Sequence, residues 1–527
     1  MNEVEQESIG RRATRTFFAS VVGKVLALII TTATFIAVAR LLGPSSYGIY
    51  TIAIGYAALI GAVSHFGIAS YFDRNISSMS YRKDMKGMSR VISNGYAVIV
   101  PIAVALALVG IALSGWIASS FLANSGIQSL TLVLISIDLL FATIWGTSYS
   151  ALIGLGRGKL ASISLVALGL IQLVVGVGLI YTGYGVNGAI VGLLVGDFFG
   201  FAIITYYTHA SLKRYGKLEL RIPKIGDIRE TLGFALPLAG NNFLLIGVVS
   251  FGTLFLSTYA PNYIVGNYGT ALKGLGMMNV IYGTLAIVLI QAFSTVISVR
   301  KKHGEVLTAY NKTIAYSLLL NLPIIVFVGV FATPLVYIFL TAKYSLAPLY
   351  LIIIAAGTSF MVMNSFTQSF YIASGKVNAL LKMSLAIVIV ELVSMFILVP
   401  RFTATGAIVT LYIIGNIATF ILYVARLRKD FGIRPDFRKI LNLFVCNIVM
   451  AMLLSTILLL GNHVAEIVVG LIGMIVIYPP LLVIFRAVDG EMLKELDHLV
   501  AMIPVVGRTA RQLDRYMRFF LRIFDIR

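Results

Sequence analysis

Asn187-Gly188-Ala189-Ile190-Val191 returns 218 residues later as Thr405-Gly406-Ala407-Ile408-Val409. The same step carries Tyr47-Gly48-Ile49-Tyr50 onto Val265-Gly266-Asn267-Tyr268, and a step of 217 carries Gly158-Lys159 onto Gly375-Lys376. Val100-Pro101-Ile102 reappears as Leu322-Pro323-Ile324 at a step of 222, so loops of slightly different length separate equivalent segments. Nearly everything between these marks is apolar. A repeat of this length in such a chain reads as a duplicated membrane bundle, an architecture typical of transporters.

Composition agrees. The 527 residues are 59% hydrophobic and 12% charged, with a mean hydropathy of +0.95. A soluble globule covers itself with about a quarter charged residues, so this chain belongs in a bilayer. The single cysteine, Cys446, lies in an apolar run, which excludes an intramolecular disulfide and a cysteine-based zinc cluster. The first apolar run, Phe17 to Ala39, is longer than a signal-peptide core and lacks a small-residue cleavage site, so it reads as a retained span.

Stretches of about 20 apolar residues, the length needed to cross roughly 30 Å of hydrocarbon, occur fourteen times: 17–39, 47–72, 91–114, 128–155, 160–181, 186–207, 232–256, 263–298, 313–332, 346–372, 377–399, 404–425, 441–461 and 464–486. Cytoplasmic loops should hold the Lys and Arg. Of 41 basic residues, 36 fall in or beside the N-terminus, the C-terminal tail and alternate loops; Arg40, Lys343 and Arg401 fall on the opposite side, and Lys24 and Lys273 lie within spans. One missed helix would scramble that alternation. Both termini are therefore expected in the cytoplasm, and the net charge of +20 marks the cytoplasmic face of a multi-pass cell-membrane protein. Its basic clusters, such as Arg300-Lys301-Lys302, also attract anionic lipid headgroups, by roughly 1 kcal/mol per residue. No basic readout domain exists, so nucleic acid is not an expected partner.

Six spans per half give both copies one orientation, with a pseudo-twofold axis along the membrane normal and a cavity between lobes. The expected fold is an all-α polytopic membrane protein of fourteen transmembrane helices. It comprises two pseudo-symmetric six-helix lobes, 1–210 and 232–426, joined by a cytoplasmic linker over 211–231, then transmembrane helices 13 and 14 within 427–486 and a basic amphipathic cytoplasmic tail over 487–527.

Ala39-Arg40-Leu41-Leu42-Gly43-Pro44-Ser45-Ser46-Tyr47-Gly48-Ile49-Tyr50, joining spans 1 and 2, resembles the pattern of polysaccharide and lipid-linked oligosaccharide flippases of the multidrug/oligosaccharidyl-lipid/polysaccharide exporter superfamily. Gly67-Ile68-Ala69 with Arg74, and Gly154-Leu155-Gly156-Arg157-Gly158-Lys159, resemble two further segments of that family, and fourteen spans in two lobes is its layout. The chain departs from it at Ile290-Gln291-Ala292-Phe293-Ser294, where the family often has a proline; the bend of that helix stays open. The resemblance implies translocation of a polyprenyl phosphate or pyrophosphate glycan from the cytoplasmic to the outer leaflet, for cell-surface polysaccharide or glycoprotein assembly.

No enzyme is expected. Gly154 to Lys159 fails the Gly-x4-Gly-Lys-Ser/Thr spacing because Leu160 follows the lysine, the histidines are scattered, and no metalloprotease helix or nucleophile elbow occurs. Neither a cofactor nor a resident metal is implied.

Function is then sought among polar groups inside spans, since an ionised side chain at the bilayer centre costs about 2.5–3.5 kcal/mol. Lys24 and Lys273 come one from each lobe, and Lys24 transposed by 218 falls on Asn242, beside Asn241. Together they suit an anionic headgroup as a donor-rich patch; the alternative is that each lysine snorkels to water along its stem. Asp138, Asp197 and Glu391 are the acidic counterparts, either coupling carboxylates or charge partners of the lysines.

In the tail, Arg508, Arg511, Arg515, Arg518 and Arg522 share one helical face and Leu513, Met517, Phe520 and Phe524 the opposite one. That pattern reads as a helix on the inner membrane surface, with contact to glycan-assembly membrane proteins as the other reading. Two alternatives to a flippase stay open: a cation-coupled exporter of amphipathic small molecules, and a non-transporting membrane scaffold for glycan synthesis.

Overall fold

The computed structural model describes residues 3–64, 67–69, 71–72, 75–76, 79, 84–213, 224–276, 303–374 and 376–488. These residues are helical almost throughout, with no strand among them. Residues 214–223 of the interlobe linker, the span beyond Gly276 with its Ile290 to Ser294 segment, and the basic tail beyond Val488 lie outside the described residues, whereas the linker's last residues, from Ile225, are already helical and its first, to Lys213, still are.

In chain order the helices are α1 (Glu3–Gly61), α2 (Met85–Trp116), α3 (Ser129–Gly154), α4 (Gly158–Leu179), α5 (Gly185–Lys213), α6 (Ile225–Tyr259), α7 (262–276), α8 (His303–Val330), α9 (Ala332–Phe339), α10 (Ala347–Ala373), α11 (Val377–Ile408), α12 (Gly415–Phe431), α13 (Phe437–Ser455) and α14 (His463–Ile484). Ten stretches among them are long and apolar enough to cross a membrane. Three of the ten are too long for one crossing: Val22–Gly61 has 40 residues, and Gly158–Ser211 and Asn378–Phe431 have 54 each. At 1.5 Å per residue these would run about 60 to 80 Å if straight.

Each instead doubles back. In α1 the break is Gly43 (φ 70°, ψ 171°), followed by Pro44. Phe35 and Tyr47, about 18 Å apart in a straight helix, bring their rings to 6.1 Å. Between α4 and α5 the chain passes through Gly183 (φ 95°) and Gly185 (φ 51°, ψ −129°). A methyl group added to Gly192 would then fall 2.4 Å from the Gly176 Cα, which shows how closely the two helices lie. Inside α11 the turn is at Thr403 (φ 48°, ψ −125°). Thr403 stands 218 residues after Gly185 and has nearly its dihedrals, so the repeated Asn-Gly-Ala-Ile-Val segment encodes one hairpin made twice. Gly188 and Gly406 are the tight points: a Cβ would meet the backbone of Leu179 at 2.9 Å in the first copy, and that of Leu398 at 2.4 Å in the second.

The second span is interrupted within the stretch its hydropathy predicts, with Ile68, Ala69, Tyr71 and Phe72 helical again beyond the break. Apolar character runs to Phe72, whereas α1 stops at Gly61, where Ser64 donates to the Gly61 carbonyl both from its backbone N–H, at 2.8 Å, and from its hydroxyl, at 2.6 Å. Ile68, Phe72 and Ile76 beyond the break stay buried, packed with Met88, Ile92, Ala151, Leu152 and Ile204. Helix breaks at membrane depth are tolerated where protein re-satisfies the freed groups, as these turn bonds do.

Compact units follow the chain as Met1–Lys273 with Val377–Ala407, and as Gly274–Lys376 with Ile408–Arg527. Within the first, small residues set the helix spacing, as expected where lipid supplies no hydrophobic drive. Gly23 of α1 packs on Ser162 of α4, Gly200 of α5 on Leu168, and Gly95 of α2 on the Phe72 ring. The second half of α1 crosses α7 through the Tyr-Gly repeat. A Cβ on Gly48 would lie 2.0 Å from the Asn262 carbonyl oxygen, and one on Gly266 would lie 1.9 Å from that of Pro44. Transposing the first contact by 218 yields the second, so the crossing is reciprocal, as at an isologous interface. Thr51 faces Gly269, its own repeat equivalent.

In the second unit, Tyr310 and Thr367 share a hydroxyl hydrogen bond of 2.7 Å between α8 and α10, and the Asn364 amide donates to the Asn416 carbonyl at 2.9 Å. Gly357 lies so close to the wide helical turn over Val409–Ile414, just before α12, that a Cβ would sit 2.1 Å from the Tyr412 carbonyl oxygen. The end of α12 is latched to the end of α10 and the loop after it: Tyr371 donates to Asp430 Oδ2 at 3.1 Å, and Lys376 donates to the Asp430 carbonyl at 3.0 Å with its ammonium 4.1 Å from the Phe431 ring centre. Cys446 is buried in α13.

Candidate functional site

The two lysines are both accessible. Lys24 stands on α1 next to Gly23, which is buried against α4, while Lys24, Val25 and Leu26 are exposed. Lys273 is exposed on α7 between buried Ala271 and Leu275. Counted from Pro261, where α7 begins, it is about 18 Å along the helix, near the middle of a ~30 Å hydrocarbon core. An ammonium turned to lipid at that depth is expensive.

The asparagine pair divides. Asn241 is buried, and its carbonyl oxygen accepts from the Ser384 hydroxyl at 2.8 Å, joining α6 to α11; Asn242 is half-buried. Asn241 thus serves interhelical packing, and Asn242 is the member with accessible surface. No hydrogen bond or ion pair links Lys24, Asn242 and Lys273 among the described residues.

The carboxylates are buried. Glu391 lies on the face of α11 that carries Ser384, Ile387, Val388 and Met395, all buried; among the described residues it meets no basic side chain. Asp138 of α3 and Asp197 of α5, 8% and 9% exposed, are brought within hydrogen-bonding reach of each other. Asp138 Oδ1 has no hydrogen-bond partner. Helices α3 and α5 pack along much of their length, which places residues 59 apart in sequence side by side. Tyr50, from the second half of α1, is buried close enough to both carboxyl groups to feel their charge. Sequence reasoning missed Tyr50 as a member of this cluster; its place in the Tyr-Gly repeat was the available signal. Two acids lie side by side with one oxygen unpartnered, a phenol near them and, among the described residues, no lysine paired with either.

Helical hairpins and glycine-spaced packing define an all-helical fold built from stretches long and apolar enough to cross a membrane. The fold is shared with the lipid II flippase MurJ in an inward closed conformation, at a TM-score of 0.67 and 17% identity over 90% of this chain and 98% of that one. Inward-facing and outward-facing structures of a multidrug resistance MATE family transporter of the MOP superfamily match at TM-scores of 0.63 and 0.55, with 17% and 18% identity, over 78% and 80% of this chain and 98% and 95% of theirs. Residues 37–349 match the polysaccharide biosynthesis protein family, and the chain belongs to that family. A comparison with curated protein sequences finds no match.

Proposed function

We propose that the protein flips a lipid-linked oligosaccharide, carried on polyprenyl phosphate or pyrophosphate, from the cytoplasmic to the outer leaflet by alternating access. The observation that carries this reading is the accessible Lys273 near mid-membrane, in a chain of the polysaccharide biosynthesis family with a MurJ-like fold. A polyprenyl tail is at home in lipid, whereas a phosphorylated glycan head faces a prohibitive solvation cost there. The protein shelters the head, and Lys24, Lys273 and Asn242 supply its donors. An inside-negative potential assists outward movement by about 2.3 kcal/mol per negative charge per 100 mV.

The reading takes fourteen crossings. Counting each doubled stretch twice, and the span beginning with α7 once, reaches that number from the ten apolar stretches. Both termini then lie in the cytoplasm, six-helix lobes span 1–210 and 232–426, and the basic tail is suited to anionic lipid, with glycan-assembly membrane proteins the other partner it fits. In this scheme Asp138 and Asp197 hold one proton between them, because two ionised carboxylates about 4 Å apart repel by roughly 4 kcal/mol at an effective dielectric of ~20. Glu391 is the second candidate for ion coupling. The same acid pair favours one rival, a cation-coupled exporter of amphipathic small molecules, in which the lysines are dispensable.

The test is translocation of a fluorescent polyprenyl-pyrophosphate glycan in proteoliposomes. Wild type flips it under a membrane potential, and the Lys24→Ala, Lys273→Ala double variant, still folded, does not. Flipping that survives the double substitution rejects the lysine site; no flipping by the wild type rejects the flippase reading and favours the exporter.

A further inference from the structure

We infer that helices α13 and α14, which fall outside the repeat, form a splint on the proline joint of α8, with Tyr478 supplying the hydrogen-bond donor that Pro323 removes.

Pro323 stands inside α8. Having no N–H, it leaves the carbonyl four residues earlier, that of Leu319, without its helical partner. Leu319 is buried and lies half-way along the apolar stretch Leu307–Val330, at a depth where no water answers a free carbonyl. The polar side chains nearest to it on α8 are spent one turn back: Ser317 donates to the Thr313 carbonyl at 2.6 Å, and Asn321 donates to the Ser317 carbonyl at 2.8 Å. The missing donor comes from another helix. Tyr478 of α14, itself buried, donates its hydroxyl to the Leu319 carbonyl at 2.8 Å. Asn447 of α13 stands within hydrogen-bonding reach of the same hydroxyl.

Contacts on either side of the joint make this bond part of a splint. Toward the start of α8, Asn311 donates to the Arg434 carbonyl at 3.3 Å and accepts from the Asp436 N–H at 3.2 Å, which ties α8 to the turn leading into α13. Just past the end of α8, Phe331 fits against Gly470 of α14, where an added Cβ would fall 2.3 Å from the ring. Ties at Asn311, Leu319 and Phe331 straddle Pro323, so α8 cannot change its bend there without breaking one of them. The first repeat offers the comparison. Pro101 of α2 is the counterpart of Pro323 and frees the Ala97 carbonyl in the same way. Among the described residues no side chain donates to that carbonyl. A splint on one copy alone gives the repeats different stiffness: α8 turns as one rod, and α2 keeps a joint.

Tyr478 is thus a positioning residue for α8, and its role is testable without any cargo, because residue 323 can be given back its N–H. Hydrogen–deuterium exchange is followed by mass spectrometry on the full-length protein in lipid nanodiscs, as wild type, Tyr478→Phe, Pro323→Ala and the double variant. In Tyr478→Phe the amides over 319–326 are expected to exchange about fivefold faster, with those of α3 unchanged. Adding Pro323→Ala is expected to restore slow exchange, since the alanine N–H then takes the Leu319 carbonyl. Exchange over 319–326 that ignores Tyr478→Phe, or an acceleration that Pro323→Ala fails to repair, overturns the splint; a general loosening would raise exchange in α3 as well and would not be repaired at residue 323. A wild type in which 97–104 exchanges no faster than 319–326 overturns the difference between the repeats. If Tyr478→Phe does not fold, the double variant decides: recovery of the folded protein upholds the splint, and a double variant as unfolded as the single one rejects it.

Discussion

Replacing Thr403 with glycine should stabilise the protein. Thr403 holds φ 48° and ψ −125°, whereas its repeat counterpart is a glycine at φ 51° and ψ −129°. A β-branched residue is rarely found there, and such strain costs about 1–3 kcal/mol. Two losses offset the relief. Glycine gains about 0.5–1 kcal/mol of extra freedom in the unfolded chain, and a half-buried methyl forfeits less than the ~0.8 kcal/mol of a fully buried one. The threonine hydroxyl has no hydrogen bond among the described residues to lose. The net expectation for Thr403→Gly is a gain of about 1 kcal/mol, and for Gly185→Thr a loss of about 1–2 kcal/mol. At ~2.1 cal/mol/K of unfolding entropy per residue, 1 kcal/mol moves Tm by only about 1 °C if the chain melts as one unit. Titration with a denaturing detergent at fixed temperature, following helix content, is the better assay. Opposite shifts of the two midpoints are required; a destabilised Thr403→Gly, or a Gly185→Thr that matches wild type, refutes the argument that one strained hairpin is written twice.

Three further outcomes are expected. Gly357→Ala forces a methyl to within 2.1 Å of the Tyr412 carbonyl and should cost about 1–3 kcal/mol, whereas Gly146→Ala, with nothing within 4 Å, should gain up to about 1 kcal/mol; equal midpoints for the two would contradict the packing. Tyr371→Phe and Asp430→Asn each weaken one latch bond and should each cost about 1 kcal/mol, with a double-variant cycle showing less than additive loss; strict additivity would mean the latch bond contributes nothing. Asp197→Asn keeps a hydrogen-bonding partner for Asp138 but removes a titrating group, so flipping should lose its response to an imposed pH gradient while still responding to membrane potential; an unchanged pH response would remove the pair from coupling.

The repeat made the hairpins legible, because Gly188 and Gly406 mark close backbone approaches that any side chain would block. Apolar length located most of the long apolar helices, because an uninterrupted apolar run of about 20 residues has few other uses. The early end of α1 was hidden, since Ile68 and Phe72 are as apolar beyond the break as before it. Lys24 and Lys273 announced themselves as charges out of place, and both are accessible. The contact of Asp138 with Asp197 was not visible, because no local spacing relates residues on different helices, and Tyr50 looked like an interfacial aromatic until α1 was seen to bring it to the acids. Asn241 was indistinguishable from Asn242 by type; only the register of α6 against α11 separates the buried partner of Ser384 from its accessible neighbour.

The reciprocity of the crossing also records an ancestry. Two separate half-length chains, related by a true twofold axis, would close on each other through one contact made twice: position 44 of each against position 48 of its mate. Fusion into a single polypeptide converted that homodimer into repeats and freed each half to diverge. Pro44 could become Asn262 in the second copy, and Gly185 could become Thr403, without altering both contacts or both turns at once. The glycine common to positions 48 and 266 is the element that neither half could surrender without parting the join.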